Sequence, residues 1–116
     1  MAIITNTENG FIEYSEDVIA DIAGVATTEC YGVVGMASKR VSDGLWEILK
    51  KENLGRGVKT TLEEESIKIE LYIIVEYGTK ISTIADNIIQ KVKYTVESLT
   101  GLNVSKVVVN VQGIRV

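Results

Sequence analysis

Residues 67–101 read IKIELYIIVEYGTKISTIADNIIQKVKYTVESLTG, and this stretch decides the fold. Ile67, Ile69, Leu71, Ile73, Val75 and Tyr77 alternate with Lys68, Glu70, Tyr72, Ile74 and Glu76. That is the alternation of a strand with one face buried. Gly78 and Thr79 break the run. Ile81, Ile84, Ala85, Ile88, Ile89, Val92, Val96 and Leu99 then recur at helical spacing, and Gly101 stands where a left-handed residue closes a helix. A strand that feeds straight into an amphipathic helix must pack the helix onto the sheet's apolar face, which makes a layered body.

The flanking sequence extends the pattern. Gly10 to Tyr14 reads as a short strand. Ser15 is a good helix cap, with Glu16 and Asp17 placed to favour the positive end of the helix. Val18, Ile19, Ile22, Ala23, Val25, Ala26 and Cys30 form a broad apolar stripe to about Tyr31. Gly24 inside it costs about 1 kcal/mol relative to Ala, and a close approach of helix to sheet would explain its presence. Gly32 to Met36 reads as a short strand with flexible flanks. Ser42 is placed to cap a short second helix through Asn53, with Leu45, Ile48 and Leu49 on one face and Trp46 beside them. Gly55 to Gly57 is a turn or irregular link. Val58–Leu62 and Ile67–Tyr77, joined by Glu63 to Ser66, predict an antiparallel hairpin. Val104 to Val116 is a last strand with Val107, Val109 and Val111 on one face.

The order β-α-β-(short α)-β-β-α-β predicts an α+β fold, a two-layer α/β sandwich whose mixed sheet carries two main helices on one face. Strand–helix–strand units imply parallel strands and right-handed crossovers. Residues 1–9 read as a flexible or strand-leading N-terminus, and residues 10–116 as a single domain.

Composition narrows the function. A chain of 116 residues, 46% of them hydrophobic, buries roughly two-thirds of its unfolded surface in one core. It contains no proline and one cysteine, Cys30, so an internal disulfide is excluded and a reduced compartment is expected. The first residues lack a basic segment followed by a long apolar run, and no apolar stretch approaches the ~20 residues that span a bilayer. A cytoplasmic location without direct membrane insertion is expected, with any membrane contact made through a partner. The absence of histidine removes most acid–base relays and the usual catalytic zinc sites. The net charge of −4 argues against dedicated nucleic-acid binding. That charge is uneven. Lys39, Arg40, Lys50, Lys51, Arg56 and Lys59 face only Asp43, Glu47 and Glu52, a net +3 that leaves −7 for the rest of the chain.

Each chemical candidate has a plainer reading. Glu63-Glu64-Glu65 lacks calcium-loop spacing and reads as a solvated turn that discourages edge pairing. Glu16, Asp17 and Asp21 read as helix-start electrostatics. Gly32, Gly35, Gly55 and Gly57 lack the spacing of a phosphate loop. Cys30 reads as a small core residue rather than a reactive thiol. No catalytic, cofactor-binding or metal-ligating set emerges. The segment Lys39 to Lys59 is different, because Trp46, Leu45, Ile48 and Leu49 lie among basic residues, a pattern shared by interfacial and partner-docking helices. Covering an edge of the core is its structural alternative. Trp46, Lys50, Lys51 and Arg56 are the candidate partner-binding residues. A small RNA-binding module of KH type is an alternative suggested by the element order, although a backbone-clamping loop is absent at the required place.

Taken together, these segments resemble the alkaline shock protein family, the envelope stress response proteins of Gram-positive bacteria. The likeness rests on Tyr31-Gly32-Val33-Val34-Gly35-Met36-Ala37-Ser38, on Asp43-Gly44-Leu45 with Glu47-Ile48-Leu49, and on Arg56-Gly57-Val58. Its longest piece is Leu71-Tyr72-Ile73-Ile74-Val75-Glu76-Tyr77-Gly78-Thr79-Lys80-Ile81. Lys91 to Val96, Thr100-Gly101-Leu102 and Val109 to Ile114 complete it. The chain looks closest to the short, single-domain branch. The resemblance implies a non-enzymatic cytoplasmic protein linked to cell-envelope homeostasis and to alkaline or general stress, acting through a protein partner that is membrane-anchored in some members, or by self-association. It also implies a third possibility, an accessory subunit of a dihydroxyacetone-kinase-like protein of fatty-acid metabolism. It supplies no catalytic or cofactor residues.

Overall fold

The computed structural model describes residues 2–39, 46–49 and 51–116, with residues 2, 39, 46, 47 and 51–53 described through their backbone alone. Its elements in chain order are β1 (Ala2–Thr7), β2 (Gly10–Ser15), α1 (Glu16–Thr28), β3 (Val33–Lys39) and β4 (Trp46–Ile48). A 3-10 helix (Lys51–Gly57), β5 (Val58–Glu63), β6 (Ser66–Glu76), α2 (Ile81–Thr100) and β7 (Val104–Arg115) complete the chain.

β6 is the centre of the main sheet. Its alternation places Ile67, Ile69, Leu71, Ile73 and Val75 in the core, each 1% exposed or less. β7 runs parallel to β6 along nearly its whole length, with Ile69 opposite Val107, Leu71 opposite Val109 and Ile73 opposite Val111. That register sets Val107 in the core and Val109 against it, as their spacing predicts, whereas Val111, on the same predicted face, is 37% exposed because the far half of β7 runs past the helical layer's cover. Since β7 occupies one edge of β6, β3 and β5 must share the other. β5 pairs antiparallel along the first half (Val58↔Leu71 to Glu63↔Ser66) and β3 along the second (Met36↔Ile73, Val33↔Val75). β4 then pairs antiparallel with the far end of β3. α1 packs against β3 and β5, α2 against β7, and the helices against each other. The result is the expected α+β sandwich with a mixed sheet.

Three local expectations change. The short helix expected over Ser42–Asn53 does not form where the chain is described. Residues 42–45 and 50 lie outside the described residues, but Trp46–Ile48 is a strand and Lys51–Gly57 a 3-10 helix. β3 leaves β6 after Met36, so Ala37–Lys39 offer open backbone groups that a short strand satisfies, whereas two turns of helix are marginal by themselves. Second, β2 does not join the main sheet. It pairs with β1 in a separate hairpin (Ile3↔Tyr14, Thr5↔Ile12), so the crossover rule applies to β6–α2–β7 and not to β2–α1–β3. Third, Gly24 makes its close approach to the 3-10 helix rather than to the sheet: a Cβ there would stand 3.1 Å from Leu54 Cβ and 3.2 Å from Leu54 O.

The helix ends are fixed by local bonds. Ser15 Oγ accepts from Val18 N–H at 3.4 Å, capping α1. α1 stops at Thr28, short of the expected Tyr31, and Gly32 then turns the chain at φ +87°. α2 ends as predicted at Gly101, left-handed at φ +73°, whose N–H donates to Glu97 O at 2.9 Å. Glu97 Oε2 also accepts from Val104 N–H at 3.0 Å, so one residue fastens both sides of the link into β7.

Candidate functional site

The segment singled out by sequence is mounted on β3 and α1. Within β4, Trp46 pairs with Lys39 and Ile48 with Ala37. Strand alternation then separates two residues that a helix would have put together. Ile48 is 48% exposed, whereas Leu49 is buried in the core and its N–H donates to Met36 O at 2.8 Å. The 3-10 helix is pinned from two sides. Leu54 is buried against Gly24 of α1, and a Cβ on Gly57 would stand 2.9 Å from Ala37 O. Arg56, between Gly55 and Gly57, is exposed.

Of the four predicted contact residues, the structure fixes one side chain. Arg56 projects from a turn packed against α1 and β3. Trp46 and Lys51 are placed by backbone, at the start of β4 and of the 3-10 helix, and Lys50 lies outside the described residues. Beside this turn lies a depression of about 370 Å³ whose lining includes Glu16, Asp17, Gly55 and Lys59. The positive segment therefore folds back beside the acidic start of α1.

The other candidates fall out as follows. Glu64 and Glu65 form a two-residue turn between β5 and β6, and Ser105 Oγ donates to Glu63 Oε1 at 2.7 Å. Among the described residues no group of three or more His, Cys, Asp or Glu is placed to hold a metal ion. Cys30 lies just past α1, half-buried against the core, with its Sγ–H donating to Ala26 O at 3.6 Å. Burial pushes its thiol above the ordinary value, with Lys91 opposing and Glu29 adding to the shift. On the sheet face away from the helices, Lys68 Nζ pairs with Glu70 Oε1 at 3.3 Å and the Tyr72 hydroxyl donates to Glu70 Oε2 at 3.2 Å. The Lys68 hydrogen bond holds the Glu70 carboxyl below its usual range.

Sequence reasoning overfilled the core. Val18, Val25 and Leu99 belong to the two apolar stripes, yet they are 44%, 46% and 67% exposed. They lie on the outer side of the helical layer, where a groove of about 380 Å³ separates α1 from α2. The available signal was the width of the α1 stripe: six of its apolar positions fall on a helix of 13 residues, more than a single core-facing stripe requires.

A protein family with a cell envelope-related function covers the chain almost end to end: residues 4–116 match its model, and the chain belongs to this alkaline shock protein 23 family. The uncharacterized protein YloU of Bacillus subtilis is 55% identical over the whole chain and 98% of its own length. The uncharacterized protein Spy1614 of Streptococcus pyogenes serotype M6 is 43% identical over the whole chain and 97% of its length. A stress response regulator gls24 homolog of Streptococcus pyogenes serotype M3 is 27% identical over 97% of the chain and 63% of its own length. No solved structure matches the chain significantly. Among the described residues no helix is long and apolar enough to cross a membrane.

Proposed function

We propose that this chain is a non-enzymatic protein-interaction module of cell-envelope homeostasis and stress response, which works in the cytoplasm and reaches the membrane through a protein partner. Membership of an envelope-related family, with relatives named as stress response regulators, supports the setting. The mount of residues 51–57 carries the interaction. Leu54 anchors the 3-10 helix in the core and glycines let α1 and β3 close on it, while Arg56 stays in water. The packing on both sides sets where the Arg56 backbone stands, so binding need order only its side chain, the advantage of a preorganised contact. Trp46, Lys50 and Lys51 flank it in sequence and complete the proposed surface, which takes an acidic protein partner.

The triple change Lys50→Glu, Lys51→Glu and Arg56→Glu tests this. Cross-linked pull-down from native lysate, read by mass spectrometry, should lose the captured partner. The melting transition should stay within the roughly 0.5 kcal/mol typical of surface changes. Undiminished capture by the triple variant excludes the segment as the interface.

A further inference from the structure

The outer side of the helical layer is built to receive something. α1 and α2 run antiparallel. The Tyr14 hydroxyl, beside the start of α1, donates to Thr100 O at the end of α2 (2.8 Å), whereas Glu29, just past the end of α1, pairs with Lys91 nearer the middle of α2 (3.5 Å). The groove between them is lined by Ile22, Val25, Ala26, Thr95 and Leu99, with Asp21 and Glu29 at its rim. Val18 continues the α1 wall one turn before Ile22. Scattered exposed aliphatic residues are ordinary on a protein surface. Val18, Val25 and Leu99 instead share one continuous face around a groove, the arrangement that marks an interaction site.

The charge of the rim selects the occupant. Asp21 and Glu29 stand on it, Glu16 and Asp17 extend the negative charge at the start of α1, and residues 15–30 contain no Lys or Arg. Lys91 on the facing helix pairs with Glu29 and each offsets the other, while one carboxylate oxygen of Asp21 lies against Gly55, so the surplus negative charge beside the groove is that of Asp21 with Glu16 and Asp17. A second copy docked across a two-fold axis would set this face against itself, bringing the α1 carboxylates of both copies together. An anionic bilayer meets the same repulsion. The basic segment of another copy offers a strand and a 3-10 turn over its described residues rather than a helix.

We propose that the α1–α2 groove docks an amphipathic, basic helix of a partner protein. Its apolar residues, one turn apart, sit between Val25 and Leu99, and its Lys or Arg side chains reach Asp21 and the acidic start of α1 at Glu16 and Asp17. Two helices with an open apolar seam accept a third by the packing that joins helices in bundles. α1 is about 20 Å long at 1.5 Å per residue, which matches a partner helix of about three to four turns. The proposal rests on reading the chain as an interaction module but not on the basic segment, none of whose described residues lines this groove.

The test uses the full chain and three fluorescein-labelled synthetic peptides of about 14 residues. One has a leucine stripe and a lysine face, one the same stripe with a glutamate face, and one is a scramble of the first. Fluorescence anisotropy should show binding of the lysine peptide only. The double variant Val25→Ser and Leu99→Ser keeps the charge and removes the apolar walls, and should weaken binding roughly tenfold or more. Amide shifts in nuclear magnetic resonance spectra should centre on Ala26, Thr95 and Leu99. Failure of the lysine peptide to bind, unchanged affinity of the double variant, or shifts centred elsewhere would each overturn the proposal. So would a change in oligomeric mass caused by the double variant, which would mark the groove as a self-interface. Should the groove fail while partner capture through residues 50–56 persists, this inference falls alone; loss of all specific capture sinks the interaction reading itself.

Discussion

Among the described residues, Gly32 carries the tightest local constraint. Its φ of +87° is unfavourable for any side chain, and a Cβ there would run into the side chain of Ile84, which is 3% exposed. Gly78 has nearly the same backbone (φ +90°) with open space around it. Gly78→Ala should therefore cost only the left-handed penalty of about 1–2 kcal/mol. Gly32→Ala should add the cost of overpacking, about 1–3 kcal/mol more. Urea melts of both variants separate the terms, and equal losses would show that Ile84 yields freely. Cys30 makes a second prediction at this scale. Burial raises its thiol, with Lys91 opposing that shift and Glu29 reinforcing it, so less thiolate is present at neutral pH than in an exposed cysteine. Alkylation by iodoacetamide, followed by mass spectrometry, should be slower than for a model thiol, and its rate should climb at higher pH than the model's does.

Between elements, hydrogen bonds place what hydrophobic pattern alone leaves free. The β1–β2 hairpin has only a short apolar interface with the body, chiefly Ile3, which is 2% exposed. The Tyr14 hydroxyl ties it to α2 by donating to Thr100 O at 2.8 Å. Tyr14→Phe should cost about 1 kcal/mol, the usual net worth of such a bond. The loss should appear as faster amide exchange within residues 2–15 more than as a lower global melt, since hairpins are the weakly held units of a fold. Uniform acceleration across β6 and α2 would contradict this and make the hairpin part of the cooperative core. Residues 46–57 illustrate the opposite case. Helical spacing of Leu45, Ile48 and Leu49 was real in the sequence, but the unpaired end of β3 decided the conformation by accepting β4 as a strand.

At the scale of the whole molecule, charge that is segregated along the sequence is partly compensated in space. The described end of the basic segment, from Leu54 to Lys59, returns beside α1, and Lys59 shares a depression with Glu16 and Asp17. The body extends over 51 × 33 × 23 Å, so this proximity follows from folding rather than from general compactness. Lys59→Glu should lower the melting temperature at low salt, and the difference should shrink as ionic strength approaches about 1 M, where screening acts within ~3 Å. A difference that is independent of salt would mean that Lys59 acts by packing instead. The same layout leaves two surfaces of opposite character, a basic turn at Arg56 and an acidic-rimmed groove between the helices.

By itself, the sequence determined the sheet–helix body. β6 and α2 announce themselves because each buries one continuous face, and a periodic apolar face has one way to be hidden. It also determined the C-terminal stop of α2, since Gly101 meets a conformational need that is local. Only the tertiary structure decided what short, aperiodic segments do. Whether Trp46–Ile48 became strand or helix, where β2 paired, and which of Val18, Val25 and Leu99 stayed in water all depended on backbone groups and surfaces that distant parts of the chain left open. Local pattern states which residues prefer burial; the number of faces available to bury them is set by how the layers meet.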